Sequence, residues 1–310
     1  MTTVPARPPG PVHPAALRES YERMVRAAGA QGRFITRRSG GRVHVIVAGD
    51  GPPVLHLHGN NTSSLSHLML LDHLTSVRSY LVDRPGCGLS DPDDFPRKRF
   101  RQCAVRFVDE VLDELEVDAA VLVGASGGGS WATWYTLDRP VRVRGLVLLG
   151  SVPLLPGARI PLGIRLMATP GLGDVLRRVL RPNRRMLLGL MSTMGEGETI
   201  LRHPDLLDSL VDAARDPVAT AANMAELQAL LSPFHPRSAE IRPDELRRVD
   251  RPTLMIWGDR DPVVTVAAAR AAAALIRDVR LEVLPAGHVP QLGHPVLVAE
   301  LLEAWLRQIS

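Results

Sequence analysis

A serine hydroxyl is a weak nucleophile at neutral pH. It attacks well only when a histidine takes its proton and a carboxylate holds that histidine in one tautomer. This 310-residue chain carries residue types for such a set at three places. Ser126 stands in Gly124-Ala125-Ser126-Gly127-Gly128, a G-x-S-x-G pattern. Asp259 and Asp261 stand in Trp257-Gly258-Asp259-Arg260-Asp261-Pro262, and His288 follows Ala286-Gly287. The chemistry would be acyl transfer through Ser126, with the chain order Ser, Asp, His. A serine thrust out on a sharp strand-to-helix turn needs neighbours without a Cβ, which accounts for the glycines. The N-terminus of the following helix would bring partial positive charge and unpaired N–H groups to the serine. A further loop, His58-Gly59-Asn60-Asn61, can offer the Asn60 backbone N–H as one half of an oxyanion hole. Each residue alone has a plain structural explanation: a tight turn, loop aspartates, a loop histidine. His56 and His58 in particular are expected as packed, hydrogen-bonded histidines. The joint placement at successive strand ends is what argues for a site.

The elements that must position these residues follow from hydrophobic runs and breakers. A helix is expected over Ala15–Ala30, and strands over Arg33–Arg38 and Val43–Ala48 with a Ser39-Gly40-Gly41 turn. Strands follow at Val54–Leu57, Ser79–Val82, Asp118–Val123 and Val143–Leu149, with helical spacing over Ser63–Leu74 and Gln102–Leu115. From Val152 to Asp250 the strand rhythm stops and leucines, prolines and methionines fill a stretch that reads as helical. Strands resume at Pro252–Trp257 and Arg280–Leu284, separated by an alanine-rich helix over Thr265–Ile276 and followed by a helix over His294–Gln308. The alternation predicts an α/β fold with a mostly parallel sheet covered on both faces, its ligands collecting at the C-terminal strand ends. The expected organisation is a flexible proline-rich leader over 1–14, a core formed by 15–151 and 251–310, and an inserted helical cap over 152–250. The methionines of the cap, Met167, Met186, Met191, Met194 and Met224, are expected mainly to pack its own interior, with some free to line an adaptable pocket.

Composition narrows the function classes. A 45% hydrophobic content suits a globular core, and no apolar run reaches the ~18 residues of a membrane span. The leader lacks the apolar core of a signal peptide. Two cysteines, Cys87 and Cys103, give neither a disulfide framework nor metal-ligand spacing, and the expected location is the cytoplasm. The net charge is +4, but all basic residues except Lys98 are arginines spread along the chain. Groups such as Arg97-Lys98-Arg99 and Arg177-Arg178 are expected as solvated faces, with no nucleic-acid partner.

Through His58-Gly59, Asp83-Arg84-Pro85-Gly86-Cys87-Gly88-Leu89-Ser90, Gly124–Gly128, Trp257–Asp261 and Gly287-His288, the chain resembles the α/β-hydrolase superfamily over nearly its whole length after the leader. The resemblance implies Ser126 as nucleophile, Asp261 as the acid, His288 as base, and the backbone N–H groups of Asn60 and Gly127 as oxyanion hole. Three positions depart from the frequent pattern: Ala125 replaces a histidine, Gly129 extends the glycine pair, and Gly293 stands where a glutamate often precedes the final His-Pro. A likeness to haloalkane dehalogenases around His58–Ser64 is countered by Ser126, since those enzymes use an aspartate. Between the two aspartates, the resemblance and the stiffening Pro262 favour Asp261, leaving Asp259 a loop-stabilising role. The expected activity is hydrolysis of a carboxylic ester with an apolar group, a small-molecule substrate, and no metal or organic cofactor. Cleavage of C–C or amide bonds, acyl transfer, and a non-catalytic receptor on the same fold are the alternatives.

Overall fold

The computed structural model describes residues 13–150, 155–179, 181–231 and 240–309. Within them, helix α1 (Ala15–Ala27) precedes a hairpin of β1 (Gln31–Thr36) and β2 (Arg42–Ala48), then β3 (Pro53–Leu57) and β4 (Arg78–Val82). Helix α2 (Phe100–Glu114) leads to β5 (Ala120–Ala125), α3 (Gly127–Asp138) and β6 (Val143–Leu149). Between β6 and β7 (Thr253–Gly258) run α4 (Leu162–Met167), α5 (Leu172–Val179), α6 (Arg184–Thr193), α7 (Gly197–Leu201), α8 (Pro204–Arg215), α9 (Pro217–Leu230) and α10 (Pro243–Leu246). Helix α11 (Val266–Ala273), β8 (Val279–Leu284), α12 (Pro290–Gly293) and α13 (Pro295–Ile309) complete the chain.

The eight strands form one sheet in the order β1-β2-β4-β3-β5-β6-β7-β8. β2 pairs antiparallel with β1 and β4, and the six strands from β4 to β8 are mutually parallel. This is the expected mostly parallel sheet. Its inner strands are apolar without alternation because both faces are covered. Leu55, Leu122, Leu148 and Trp257 pack on the side of α2, α3 and α11, whereas their neighbours Val54, Val123, Leu149 and Ile256 pack on the side of α13. Each successive side chain thus enters the opposite half of the core, as the two-residue repeat of a strand requires.

Three local expectations are corrected. β1 begins two residues earlier than the run Arg33–Arg38, since Gln31 and Gly32 already pair with Val47 and Ile46, and it ends two residues earlier because Arg37 leaves the ladder. Its N–H bonds Gly41 O, and its buried guanidinium reaches Asp93 and Glu110. The stretch Ser63–Leu74 is a short 3₁₀ segment, Ser64–Leu70, not an α-helix. Local polar bonds compete there: Ser66 Oγ donates to Ser63 O, and Ser64 N–H is drawn to Asp83 Oδ1 at 2.9 Å. Of the expected leader 1–14, residues 1–12 lie outside the described residues, but His13 is buried with its Nδ1 2.9 Å from Asp216 at the start of α9. The packed chain therefore starts ahead of Ala15. Within the expected cap 152–250, residues 152–154, 180 and 232–239 also lie outside the described residues. The rest of the insert is tied to the core, as Leu206, Leu207 and Leu210 of α8 share an apolar cluster with Leu17 and Tyr21 of α1. Among the described residues no helix is long and apolar enough to cross a membrane.

Candidate active site

The turn between β5 and α3 puts Ser126 at φ 49° and ψ −121°, a conformation that side-chain-bearing residues rarely adopt. Close packing explains how it is enforced. A Cβ on Gly124 would stand 2.6 Å from Gly129 Cα, and one on Gly128 would strike the carbonyls of Leu57 and His58. The contact is with the Gly129 backbone, so it is Gly124 that must lack a Cβ for the helix to start this close to the strand. Gly59 packs closely from the other side, where a Cβ would lie 3.0 Å from Ser126 Cβ.

Three strand ends bring the candidate residues together. Ser126 Oγ lies 2.9 Å from His288 Nε2, and His288 Nδ1 lies 3.1 Å from Asp261 Oδ2. A carboxylate only accepts, so Nδ1 carries the proton and Nε2 is left to accept from the serine hydroxyl. Asp261 is buried, and Val263 N–H donates to its Oδ1 at 2.9 Å, which fixes the carboxylate edge that faces the imidazole. Asp259 points away into solvent, 3.7 Å from the Arg260 guanidinium. The loop-stabilising role expected of Asp259 is not seen; its side chain forms only this exposed pair among the contacts described.

Asn60 follows Gly59 at the edge of the site, and its side-chain Oδ1 covers the Cα of Gly127. Gly127 opens α3, so its N–H lies outside the intrahelical ladder. No described hydrogen bond takes up the backbone N–H of either Asn60 or Gly127. Asn61 adopts φ 55° and its N–H is held by Asn223 of α9 at 2.8 Å, so the insert also shapes this loop.

Beneath the loop lies a buried polar lattice. His58 Nδ1–H donates to Gly59 O at 2.8 Å, and its Nε2 accepts from Arg84 N–H at 3.0 Å. His58 therefore takes the structural role expected of it. The Arg84 guanidinium donates to Gly59 O and to Glu226 of α9, while Trp131 Nε1–H donates to the same carboxylate. Asp83 accepts from Tyr21, Ser64 N–H and Leu89 N–H; burial works to raise its carboxyl, but His44, His58 and Tyr21 hold it below the ordinary range. Burial, helped by the Arg84 charge, pushes the His58 imidazole down to about 3, and burial alone pushes His67 down to about 3. His56, packed edge-on to His67, is likewise lowered by burial.

These histidines give the fold an expected loss of stability on the acid side. An unfolded histidine protonates near 6.5, whereas His58 and His67 stay neutral in the fold down to about 3, so unfolding takes up protons between those values. Stability should fall as the pH drops through this window, with each proton contributing a slope of ~1.4 kcal/mol per pH unit. Denaturant melts between pH 6 and pH 4 should lose stability with a slope of at least two protons, and His67→Phe should remove about one of them. A flat profile would contradict the burial of neutral imidazoles.

The serine opens onto a cavity of about 130 Å³ whose walls are mostly aliphatic: Ile160, Ile164, Leu187, Leu190, Leu227 and Leu231 from the insert, Val263 and Leu292 from the core. Of the five insert methionines, Met191 and Met194 line it, Met224 is buried, Met167 is half-buried, and Met186 is exposed. Among the described residues no group of three or more His, Cys, Asp or Glu side chains could hold a metal ion.

Residues 52–295 match the family model described as alpha/beta hydrolase fold. The chain belongs to the α/β-hydrolase family. It is 28% identical over 278 residues to a pimeloyl-[acyl-carrier protein] methyl ester esterase of Shewanella oneidensis, covering 86% of this chain and 96% of that one. The enzyme of the same name from Xanthomonas oryzae pv. oryzae is 30% identical over 270 residues, covering 86% of this chain and all of the relative. Among solved structures, carboxylesterase CesB from Bacillus subtilis superposes with a TM-score of 0.74 at 21% identity, covering 94% and 97% of the two chains. A meta-cleavage product hydrolase from Pseudomonas fluorescens does so at 0.71 and 19%, covering 90% and 98%. Both likenesses are of fold.

On this α/β-hydrolase frame, two acids not singled out from the sequence prove central to the packing. Glu226 anchors Arg84, which does lie in the Asp83–Ser90 motif, so half of that pair was visible. Glu196 sits on the histidine loop, with its Oε2 3.5 Å from where a Cβ of Gly293 would be. A carboxylate thus stands beside the position where the chain lacks the frequent glutamate.

Proposed function

We propose that the protein is a carboxylic ester hydrolase acting through an acyl-enzyme at Ser126. The contact that carries this is Ser126 Oγ to His288 Nε2 at 2.9 Å, with Asp261 behind the imidazole. His288 takes the hydroxyl proton as Ser126 attacks the acyl carbon, and the developing oxyanion is met by the N–H groups of Asn60 and Gly127. The same imidazole then protonates the departing alkoxide. In the second half-reaction it deprotonates the water that releases the acid. The naming of the bacterial relatives as methyl ester esterases supports an ester as the bond cleaved.

The segment 152–250 is proposed as a cap that receives an apolar acyl group, since its leucines and isoleucines supply most of the aliphatic side chains that line the cavity. Burying each methylene contributes ~0.8 kcal/mol, so going from an acetyl to a hexanoyl p-nitrophenyl ester should raise kcat/KM by ~10²-fold. Equal values across the series, or a preference for a charged acyl end, would contradict the apolar cap. Absence of turnover for every ester, with folded protein, would favour a receptor over an enzyme.

A further inference from the structure

Three consecutive backbone N–H groups around His288 all donate to one turn of the insert. Gly287 N–H reaches Glu196 Oε1 at 3.0 Å, Val289 N–H reaches the same oxygen at 3.2 Å, and His288 N–H reaches Met194 O at 2.8 Å. That turn is itself closed by Gly195 N–H to Ser192 O at 3.0 Å and Glu196 N–H to Met191 O at 2.8 Å, where α6 passes into α7. The two loops meet backbone to backbone. Gly195 has φ 79°, and a Cβ on it would lie 2.9 Å from Gly287 Cα; one on Gly287 would lie 2.7 Å from the Gly195 carbonyl carbon and 2.8 Å from Glu196 Oε1. Glu196 is 1% exposed, so its oxygens have no bulk water to fall back on. Burial raises its carboxyl, against the bonds it accepts from Thr199, Val289 and Gly287. The titratable side chain facing it is His288, with Asp261 on the far edge of the imidazole; Arg260, on the adjoining loop, turns its guanidinium to Pro285 O.

We propose that Glu196 is a positioning residue for His288, by which the insert, together with the core contacts of the loop, sets the height of the base above Ser126. This rests on the ester-hydrolase reading above. On the core side the loop after β8 is held by buried Ala286 and by Arg260 N–H to Ala286 O at 3.0 Å, whereas the amides of 287–289 are all taken up by the insert. With its three amides fixed from one side, Nε2 is left at 2.9 Å from the hydroxyl. The bonds require an acceptor at Oε1 and not a charge, so glutamine can replace glutamate while alanine cannot.

The test compares Glu196→Ala, Glu196→Gln and Glu196→Asp with wild type on a p-nitrophenyl ester, beside hydrogen–deuterium exchange of the peptide spanning 285–291. A misplaced catalytic group costs on the order of 10²-fold, so Glu196→Ala should lose about that in kcat with KM within ~3-fold, while Glu196→Gln stays within ~5-fold. Exchange at the 287–289 amides should quicken at least ~10-fold in Glu196→Ala and stay slow in Glu196→Gln. Unchanged kcat in Glu196→Ala, or equal losses in Glu196→Ala and Glu196→Gln, overturns the proposal. If Glu196→Ala does not fold, Glu196→Asp carries the test: its carboxylate falls one methylene short, so kcat should drop and an unchanged kcat overturns it. Should wild type turn over no ester while the exchange pattern appears, the ester reading fails and the anchorage stands.

Discussion

Ser126→Ala should abolish ester turnover and leave the fold intact. Under the proposed roles the variant loses only the attacking oxygen, while His288, Asp261 and the cavity walls keep their places. A loss of ~10⁴-fold or more in kcat is expected for removal of the nucleophile. Alanine inherits the unfavourable φ of 49°, so melting should shift little. Ser126→Gly separates the two properties that meet at this position. Glycine adopts positive φ without penalty, so this variant should also be inactive yet more stable than wild type by ~1 kcal/mol. An increase in stability with complete loss of turnover would mark Ser126 as a strained residue kept for its chemistry. Near wild-type turnover by either variant would remove Ser126 from the mechanism.

The second large effect is expected at Asp261. In Asp261→Asn, the amide oxygen keeps the bond from Val263 N–H, which turns the NH₂ group toward His288 Nδ1. A donor facing Nδ1 forces the proton to Nε2, the atom that must accept from Ser126. The imidazole is then present, correctly placed, and in the wrong tautomer, for which a loss of ~10⁴-fold in kcat is expected. Asp259→Asn changes only an exposed pair with Arg260, and exposed pairs contribute ~0–1 kcal/mol, so its kcat should stay within ~2-fold. Measuring kcat for both variants at neutral pH decides between the aspartates. The reverse pattern would reassign the acid and leave the serine in place.

What could be read from residues alone follows a physical division. The sheet and the serine turn were legible because buried parallel strands are apolar runs and because a sharp turn admits only glycine where backbones touch, as at Gly124 and Gly128. His58 was legible as structural because a histidine at a strand end next to glycine has backbone groups within reach. The two aspartates were harder. They lie two residues apart, and what separates them is the Val263 N–H that draws Asp261 inward, a bond no spacing rule specifies. Arg84 with Glu226 and Glu196 with the histidine loop lie beyond local reading, since their partners stand 142 and 91 residues away. Helical insert sequence has no strand register to say which acid turns toward the core. The early end of β1 has the same origin, because Arg37 leaves its strand for two acids far along the chain, Asp93 and Glu110.

The central claim, that Ser126 is a nucleophile activated by His288, is tested most directly by covalent labelling. Wild-type protein is treated with an alkyl fluorophosphonate at neutral pH, digested, and mapped by mass spectrometry, with His288→Ala in parallel. The account predicts one phosphonyl group per chain, located on the peptide containing Ser126, and labelling slowed by orders of magnitude in His288→Ala. Label on another residue, or equal labelling rates with and without the His288 imidazole, would contradict it.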